Sequence, residues 1–563
     1  MSPFIQEGPV LPDAWESDRT LRESVRFHLD AELWGQAAVE LAPVGAWATN
    51  PGVLALALKA ENEPPRLVPY GPWGERIDSI AVSSAYEALG AQGVRFGVAA
   101  LPYEDSPYGP CARIVWAALL SMWGASSALA SCPIAMTDAA ARTLLLHGAP
   151  EDLAVVERLT TRDPERSWTS GQWMTETTGG SDVGRTETTA RLGDDGKWRL
   201  FGTKWFTSAT TSEMALTLAR PNGAPEGSKG LGLFRIERVL ANGERNAIRV
   251  RRLKDKLGTR ALPTAELELE GAIAFPVGDP RDGGGLRRMA TMLNITRLHN
   301  SIGAASALGR GLAYARAFAL VREVFGRPLH EQPLHRATLV DLAVDYAAAL
   351  ALVMRVAELT GRMEAGVANE REVSILRGLT PVTKLASARW AVAGAAEAME
   401  SLGGVGYCED SGLPALVRNT HVLPIWEGTT NVLSLDLLRS AERSDSVALL
   451  LEDARSTVAP LAAHPVLADT AATVTRALDE IEQRFGGATD RSHREAGARS
   501  LALSVASTYA CARLCAQGAW AAANGDGRTA GIAARLAQRG LVASKPPEAL
   551  ELAMDEERQG WMV

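Results

Sequence analysis

Cysteine is scarce in this chain: five in 563 residues, an odd number scattered at Cys111, Cys132, Cys408, Cys511 and Cys515. That argues against a disulfide framework and fits a reducing compartment. Cys511 and Cys515 stand four apart, on one helical face, but no Cys or His pair joins them at metal-ligand spacing. They read as small core residues, and no metal is expected. Unbroken apolar runs of about eighteen residues are missing, so no membrane span is expected. The opening stretch, MSPFIQEGPVLPDAWESD, is acidic and has no apolar core segment. Neither a secretory signal nor an Arg-rich transit peptide is expected, which leaves the cytoplasm as the default compartment. Surplus positive charge is lacking as well. The net charge of −8 gives no overall attraction to nucleic acid or anionic lipid.

What is present is ordinary globular material, 46% hydrophobic and 22% charged, in a chain too long for one core. Residues 1–168 read as mostly helical after a Pro-rich lead-in. ARIVWAALLSMWGASSALASC, apolar nearly all round, predicts a buried helix. Across 169–280 the texture changes to short β-rich pieces, WRLFGTKWFTSA, EMALTLAR, GLGLFRI, NAIRVRRL and AELELEG, separated by Gly, Asn and Pro. Residues 281–440 return to helical spacing, with segments such as ARWAVAGAAEAMESLGG ending in Gly. Residues 441–563 form a further helical region rich in Ala and Arg. The order is α, β, α, then extra α.

Three constellations carry chemistry. Met174-Thr-Glu-Thr-Thr-Gly-Gly-Ser-Asp-Val183 offers backbone N–H groups and hydroxyls that can bind a polar heterocycle and a pyrophosphate. Read alone, it is also an ordinary β-turn. Lys204-Trp-Phe-Thr207 lies in a strand, where alternation would put Trp205 and Thr207 on one face, a ring to cover a flavin and a hydroxyl for a ring nitrogen. The plainer reading is two strand residues over a core. Leu423-Pro-Ile-Trp-Glu-Gly-Thr-Thr-Asn431 sets a carboxylate between Trp and Gly, where partial desolvation would raise its pKa towards that of a useful base. Its plain alternative is a surface Glu in a turn.

Taken in order with RxxFGxPL (Arg322 to Leu329) and LGGVGY (Leu402 to Tyr407), these segments resemble the acyl-CoA dehydrogenase superfamily. CPIAMT (Cys132 to Thr137), RNAIRVRRLKDKLGTR (Arg245 to Arg260), SLGGVGYCEDSGLP (Ser401 to Pro414) and the long C-terminal extension look like its AidB-like branch. The resemblance implies a mainly α protein with a central β-barrel between a helical N-terminal domain and a helical bundle, plus a C-terminal helical extension. It implies FAD, held by Gln172, Met174, Thr175, Gly180, Ser181, Trp205, Phe206, Thr207, Ile425, Trp426, Thr429 and Asn431. Arg322, Phe325, Glu400, Gly403 and Gly404 would reach the FAD of a neighbouring subunit in a homotetramer or dimer. Arg297, Ser181 and Gly428 would line the acyl-thioester site, and Glu427 would be the base that takes the α-proton, with the β-hydride passing to FAD. An electron-transfer flavoprotein would then take the electrons.

Two departures from the family stand out: Asn294 where many members carry Asp, and Glu400 where they carry Gln. The first leaves room for an acyl-CoA-binding protein with little turnover, and the second weakens a side-chain bond from residue 400 to FAD. The AidB-like branch also brings an association with DNA and the alkylation response. Here 441–563 holds 13 Lys/Arg against 16 Asp/Glu, a net of −3. Phosphate contacts need clustered positive charge, and the only dense cluster, Arg491, Arg494 and Arg499, is small. A structural helical domain or oligomer interface is the better expectation.

Overall fold

The structure is a computed structural model that describes residues 8–486 and 491–543. The first seven residues of the lead-in and the end of the expected C-terminal helical region, 544–563, lie outside the described residues. Seven helices come first: α1 (Arg19–Phe27), α2 (Ala31–Ala48), α3 (Pro51–Asn62), α4 (Ser84–Phe96), α5 (Ala112–Gly124), α6 (Ser131–His147) and α7 (Leu153–Leu159). α5 is buried on every side from Ala112 to Trp123, as its composition requires. The one buried helix predicted there is in fact two. The chain breaks after Gly124, Ala128 and Leu129 take positive φ, and α6 starts at Ser131. Ser126 holds the break by donating its hydroxyl to the Ala48 carbonyl at 2.6 Å.

This region also contains strands that helical patterning did not foretell. A hairpin of β1 (Arg66–Tyr70) and β2 (Arg76–Ala81) is stitched to the sheet domain. Asp78 accepts from the Val250 amide at 3.0 Å, and Arg76 donates to the Val250 carbonyl at 2.8 Å.

The sheet domain comprises β3 (Ser170–Trp173), β4 (Thr189–Leu192), β5 (Trp198–Ser208), β6 (Met214–Pro221), β7 (Gly232–Glu237), β8 (Ile248–Leu253) and β9 (Thr264–Pro276). Strands β6, β4, β5, β9 and β7 pair in a closed ring, because β7 returns to β6. β3 adds in parallel to the first half of β6, and β8 to β9. Closure leaves the ring no free edges. Its filling is one cluster that includes Trp173, Leu200, Phe234, Ile236 and Leu267.

Three long helices follow, α8 (Gly285–Val321), α9 (Pro333–Glu364) and α10 (Glu370–Glu400), packed on one another. A tight hairpin of β10 (Glu323–Val324) and β11 (Arg327–Pro328) joins α8 to α9. α9 is long and apolar enough to cross a membrane by length and composition, but 67% of its apolar window is buried inside the fold. After α11 (Leu413–Thr420) and α12 (Thr430–Arg443) come α13 (Ser446–Val458), α14 (Ala468–Gly486), α15 (Arg491–Ala523) and α16 (Arg528–Gln538). α13 and α15 pack on α10, and α15 and α16 on α9. Cys511 and Cys515 are free thiols buried in α15. The last helices also reach the first: Glu23 of α1 accepts from Gln517 at 3.0 Å and from the Thr529 hydroxyl.

Candidate active site

The segment between α11 and α12 turns sharply, and the sharpest residue in it is Glu427. Its φ is 57°, in the left-handed region, and Gly428 follows at 106°. For a residue with a Cβ that conformation costs about 1–2 kcal/mol, so neighbours must impose it. They do so from four sides. The Trp426 indole N–H donates to Asn300 Oδ1, and Asn300 Nδ2 donates to the Leu423 carbonyl at 3.1 Å. Arg297 Nε donates to the Glu427 carbonyl at 3.2 Å, and Lys384 Nζ to the Gly428 carbonyl at 2.6 Å. The Thr429 side chain caps α12. Position 428 has to be glycine, since a Cβ there would stand 2.9 Å from Leu433 Cδ2 in a backbone that already favours glycine.

The turn delivers the Glu427 carboxylate among α8, α10 and β3. Thr296 donates its hydroxyl to Oε2 at 2.7 Å, shorter than its 3.1 Å approaches to the Met292 and Leu293 carbonyls. Gln172 Nε2 lies 3.4 Å from the same oxygen. Burial pushes the carboxyl above the usual carboxylate range, while Thr296, Arg297, Lys384 and Gln172 pull the other way. Cys132 of α6 lies close enough to sense this charge. Burial raises its thiol to about 12, so it stands by as an uncharged neighbour.

The Met174–Val183 loop is tied to β5 twice. The Trp205 amide donates to the Thr175 carbonyl at 2.9 Å. Deeper in, Lys204 Nζ meets Glu176 Oε1 at 2.7 Å and the Leu218 carbonyl at 3.0 Å, with both side chains buried. Glu176 also accepts from the Thr188 hydroxyl at 2.6 Å and the Glu187 amide at 2.7 Å. A Cβ at Gly180 would fall 2.7 Å from Thr175 Oγ1, so glycine lets the loop fold back on the threonine.

The strand does not alternate as its sequence suggests. The pairing of β5 with β9 slips between Lys204 and Thr207, so both of these point inward while Trp205 is half-buried and Phe206 is 54% exposed. A bulge of this kind breaks the period of two. Thr207 is buried and donates to the Ala265 carbonyl at 2.8 Å, so its proton is committed within the barrel. Lys254, paired with Glu266 at 2.6 Å, puts its ammonium 3.7 Å from the centre of the Trp205 ring.

The residues expected to hold FAD thus fall into two groups. Gln172, Met174, Thr175 and Trp205 are half-buried along β3, the loop and β5, with Gly180 and Ser181 exposed beyond them, and Gln172 touches the candidate base. This group fits a flavin's donor and acceptor pattern, and its clearest mark is Gln172 Oε1, a buried acceptor without a partner. Gly179, at φ 113°, would meet nothing within 4 Å even with a Cβ. The second group faces outward. Phe325 is 98% exposed at the tip of the β10–β11 hairpin, following Arg322 at the end of α8. Glu400, Gly403 and Gly404 are exposed around the end of α10. Ile425, Thr429 and Asn431 are exposed on the rim of the turn. Arg297 is largely buried, with Asp436 of α12 3.6 Å from its Nη2.

Sequence reasoning passed over Thr296, Lys384 and the Lys204–Glu176 pair. Thr296 adjoins Arg297, which was singled out. Lys384 carried a usable signal, a solitary lysine inside the apolar run LTPVTKLASA.

Residues 171–272 match the acyl-CoA dehydrogenase middle domain, 283–442 its C-terminal domain, and 10–164 the N-terminal domain of the adaptive response protein AidB. The chain belongs to the acyl-CoA dehydrogenase family, in its AidB-like branch. It is 42% identical to acyl-CoA dehydrogenase family member 11 of Caenorhabditis elegans over 79% of this chain and 73% of that one. To AidB of Escherichia coli (strain K12) it is 35% identical, over 74% of this chain and 76% of that one. The crystal structure of Caenorhabditis elegans ACDH-11 in complex with C11-CoA superposes with a TM-score of 0.93 at 36% identity, covering 99% of this chain and 97% of that one.

Proposed function

We propose that the protein oxidises an acyl-CoA thioester between its α and β carbons, with Glu427 as the base and FAD as the cofactor. The observation that carries this reading is the Glu427 carboxylate itself. A left-handed turn that only a dense set of contacts sustains presents it, and burial lifts its affinity for a proton towards what a base needs near neutrality. A protein that merely bound the cofactor has no use for that arrangement. The relative solved with C11-CoA supports an acyl-CoA ligand.

Bound FAD would accept the β-hydrogen with its electron pair, and the rest of the work belongs to the chain. Gln172 and Trp205, with the Thr175 loop, would hold the ring. Glu427 takes the α-proton at a carboxylate oxygen, and Thr296, donating to Oε2, fixes which oxygen is occupied and aims the other. Arg297 and Lys384 keep the turn from relaxing as the carboxylate is neutralised. An electron-transfer flavoprotein is the acceptor we propose, with a homo-oligomer in which the outward group of Phe325, Glu400, Gly403 and Gly404 meets a second copy, working in the cytoplasm. A DNA-binding role is disfavoured. Arg491 pairs with Glu495 at 2.8 Å and Arg494 with Glu442 at 3.2 Å, so two of the three arginines of the small basic cluster already face a carboxylate.

The test is Glu427→Gln. The purified parent should be yellow, with about one FAD per chain, and should bleach on mixing with its best acyl-CoA. The variant should keep FAD, since Gln preserves volume and a hydrogen bond, and should bleach ~10²–10⁴-fold more slowly. Bleaching at the parental rate would remove Glu427 as the base and leave an acyl-CoA-binding protein as the better reading.

A further inference from the structure

Lys384 is a fully buried lysine in the middle of α10, three residues after Pro381. Its ammonium reaches out of the helix to the Gly428 carbonyl at 2.6 Å, one residue beyond the base. Arg297, from α8, takes the carbonyl before it. Two cations from two helices therefore end on successive carbonyls of one strained turn. They differ in their counter-charges: Asp436 lies 3.6 Å from Arg297, whereas among the described residues no carboxylate comes within 4 Å of Lys384. The charges that act on Lys384 are Glu427, which favours its proton, and Arg297, which opposes it.

We propose that Lys384 is a positioning residue for the base: it pins the left-handed turn at Gly428, and its positive charge, beyond its hydrogen bond, keeps the Glu427 carboxylate ionised. This rests on Glu427 being the base. A lysine is costly at such a place. Burial brings its ammonium down to about 7, where any neutral donor of similar reach could satisfy one carbonyl at less cost. Retaining the charge makes sense if a nearby anion profits from it, and Glu427 is the anion there. The other ionisable groups around the carboxylate are Arg297 on α8, Asp436 on α12, which pairs with Arg439 as well as lying 3.6 Å from Arg297, and Cys132 on α6, with Lys256 beyond it. Two cations act on Glu427, Arg297 ahead of Lys384, and of the two Lys384 is the one with no carboxylate within 4 Å among the described residues.

Three variants separate charge from tether: Lys384→Gln keeps a donor without charge, Lys384→Arg keeps charge, and Lys384→Met keeps neither. The first readout is the protonation of Glu427 in substrate-free protein. It is followed by infrared difference spectroscopy across pH, with the carboxyl band assigned by its loss in Glu427→Gln. The midpoint should rise by about one unit or more in the Gln and Met variants, as expected on losing a nearby opposite charge, and stay near the parent's in Arg. In single-turnover bleaching, the acid limb should move with the midpoint while KM for acyl-CoA stays within about threefold. If Lys384→Met does not fold, the contrast between Gln and Arg decides alone. A midpoint in Lys384→Gln equal to the parent's would overturn the proposal and leave Lys384 as a tether only. The infrared midpoint does not depend on turnover, so rapid bleaching by Glu427→Gln would instead count against the reading of the site.

Discussion

Two lysines of this chain are buried beside a glutamate, and they are used in opposite ways. In the barrel, Lys204 touches Glu176 at 2.7 Å, and the carboxylate is completed by donors from Thr188 and Glu187. Every charge there is met by contact, and the pair welds the Met174–Val183 loop to β5. In the helical bundle, Lys384 makes its bond to a carbonyl, and Glu427 is left with one close donor, Thr296. The same two residue types thus give a strut when they meet and, as we propose, a proton acceptor when they are held apart. Burial is common to both carboxylates, and what differs is whether a cation meets them in contact.

The largest effect should come from breaking the strut. Lys204→Met leaves Glu176 buried without its cation and should cost about 3–5 kcal/mol of stability, read as a lower denaturant midpoint together with loss of bound FAD. If FAD and stability survived, the contrast between the two sites would collapse. Thr296→Ala comes next. Losing a hydrogen bond to a charged group is worth about 1.5–3 kcal/mol, so the acid limb of flavin reduction should move up by about one to two units, with a loss of stability of the same order at pH above that limb. In the parent, the sign follows from the raised carboxyl. The base must be ionised to work, so bleaching should fall as pH drops through a midpoint above the ordinary 4.5 of glutamate, measurable by stopped flow. A limb at or below that value would show that the site is no more desolvated than the surface. The smallest effect is the control: Asp195→Ala removes an exposed i,i+4 pair with Arg199, and the unfolding midpoint should not move.

Chain order and texture made the α–β–α–α arrangement legible, because a change of hydrophobic period survives in one dimension. Glu427 was legible for a related reason: a turn writes its chemistry into neighbouring residues, here Trp, Glu, Gly and Thr. What convergence alone creates was hidden. Thr296 and Lys384 reach Glu427 and Gly428 from helices far away in sequence, and no local pattern reports such a meeting. The break between α5 and α6 was hidden because both sides of it are apolar. The slip in β5 was hidden because a bulge depends on the partner strand, and it is this slip that turns Thr207 into the barrel while leaving Trp205 half-buried and Phe206 exposed. The β1–β2 hairpin escaped because its stability comes from Val250, on a strand some 170 residues later.

The link between the first helix and the last has a consequence for how the chain is made. Glu23 leaves the ribosome early, but its partner Gln517 follows 494 residues later and Thr529 506 residues later. At about 5–20 residues per second, that leaves α1 without these contacts for roughly 25–100 s during synthesis. The α1 docking surface is therefore finished only once α15 and α16 have been made, and a ribosome that stalls before them would display a chain whose barrel is already encoded but whose α1 still lacks these partners.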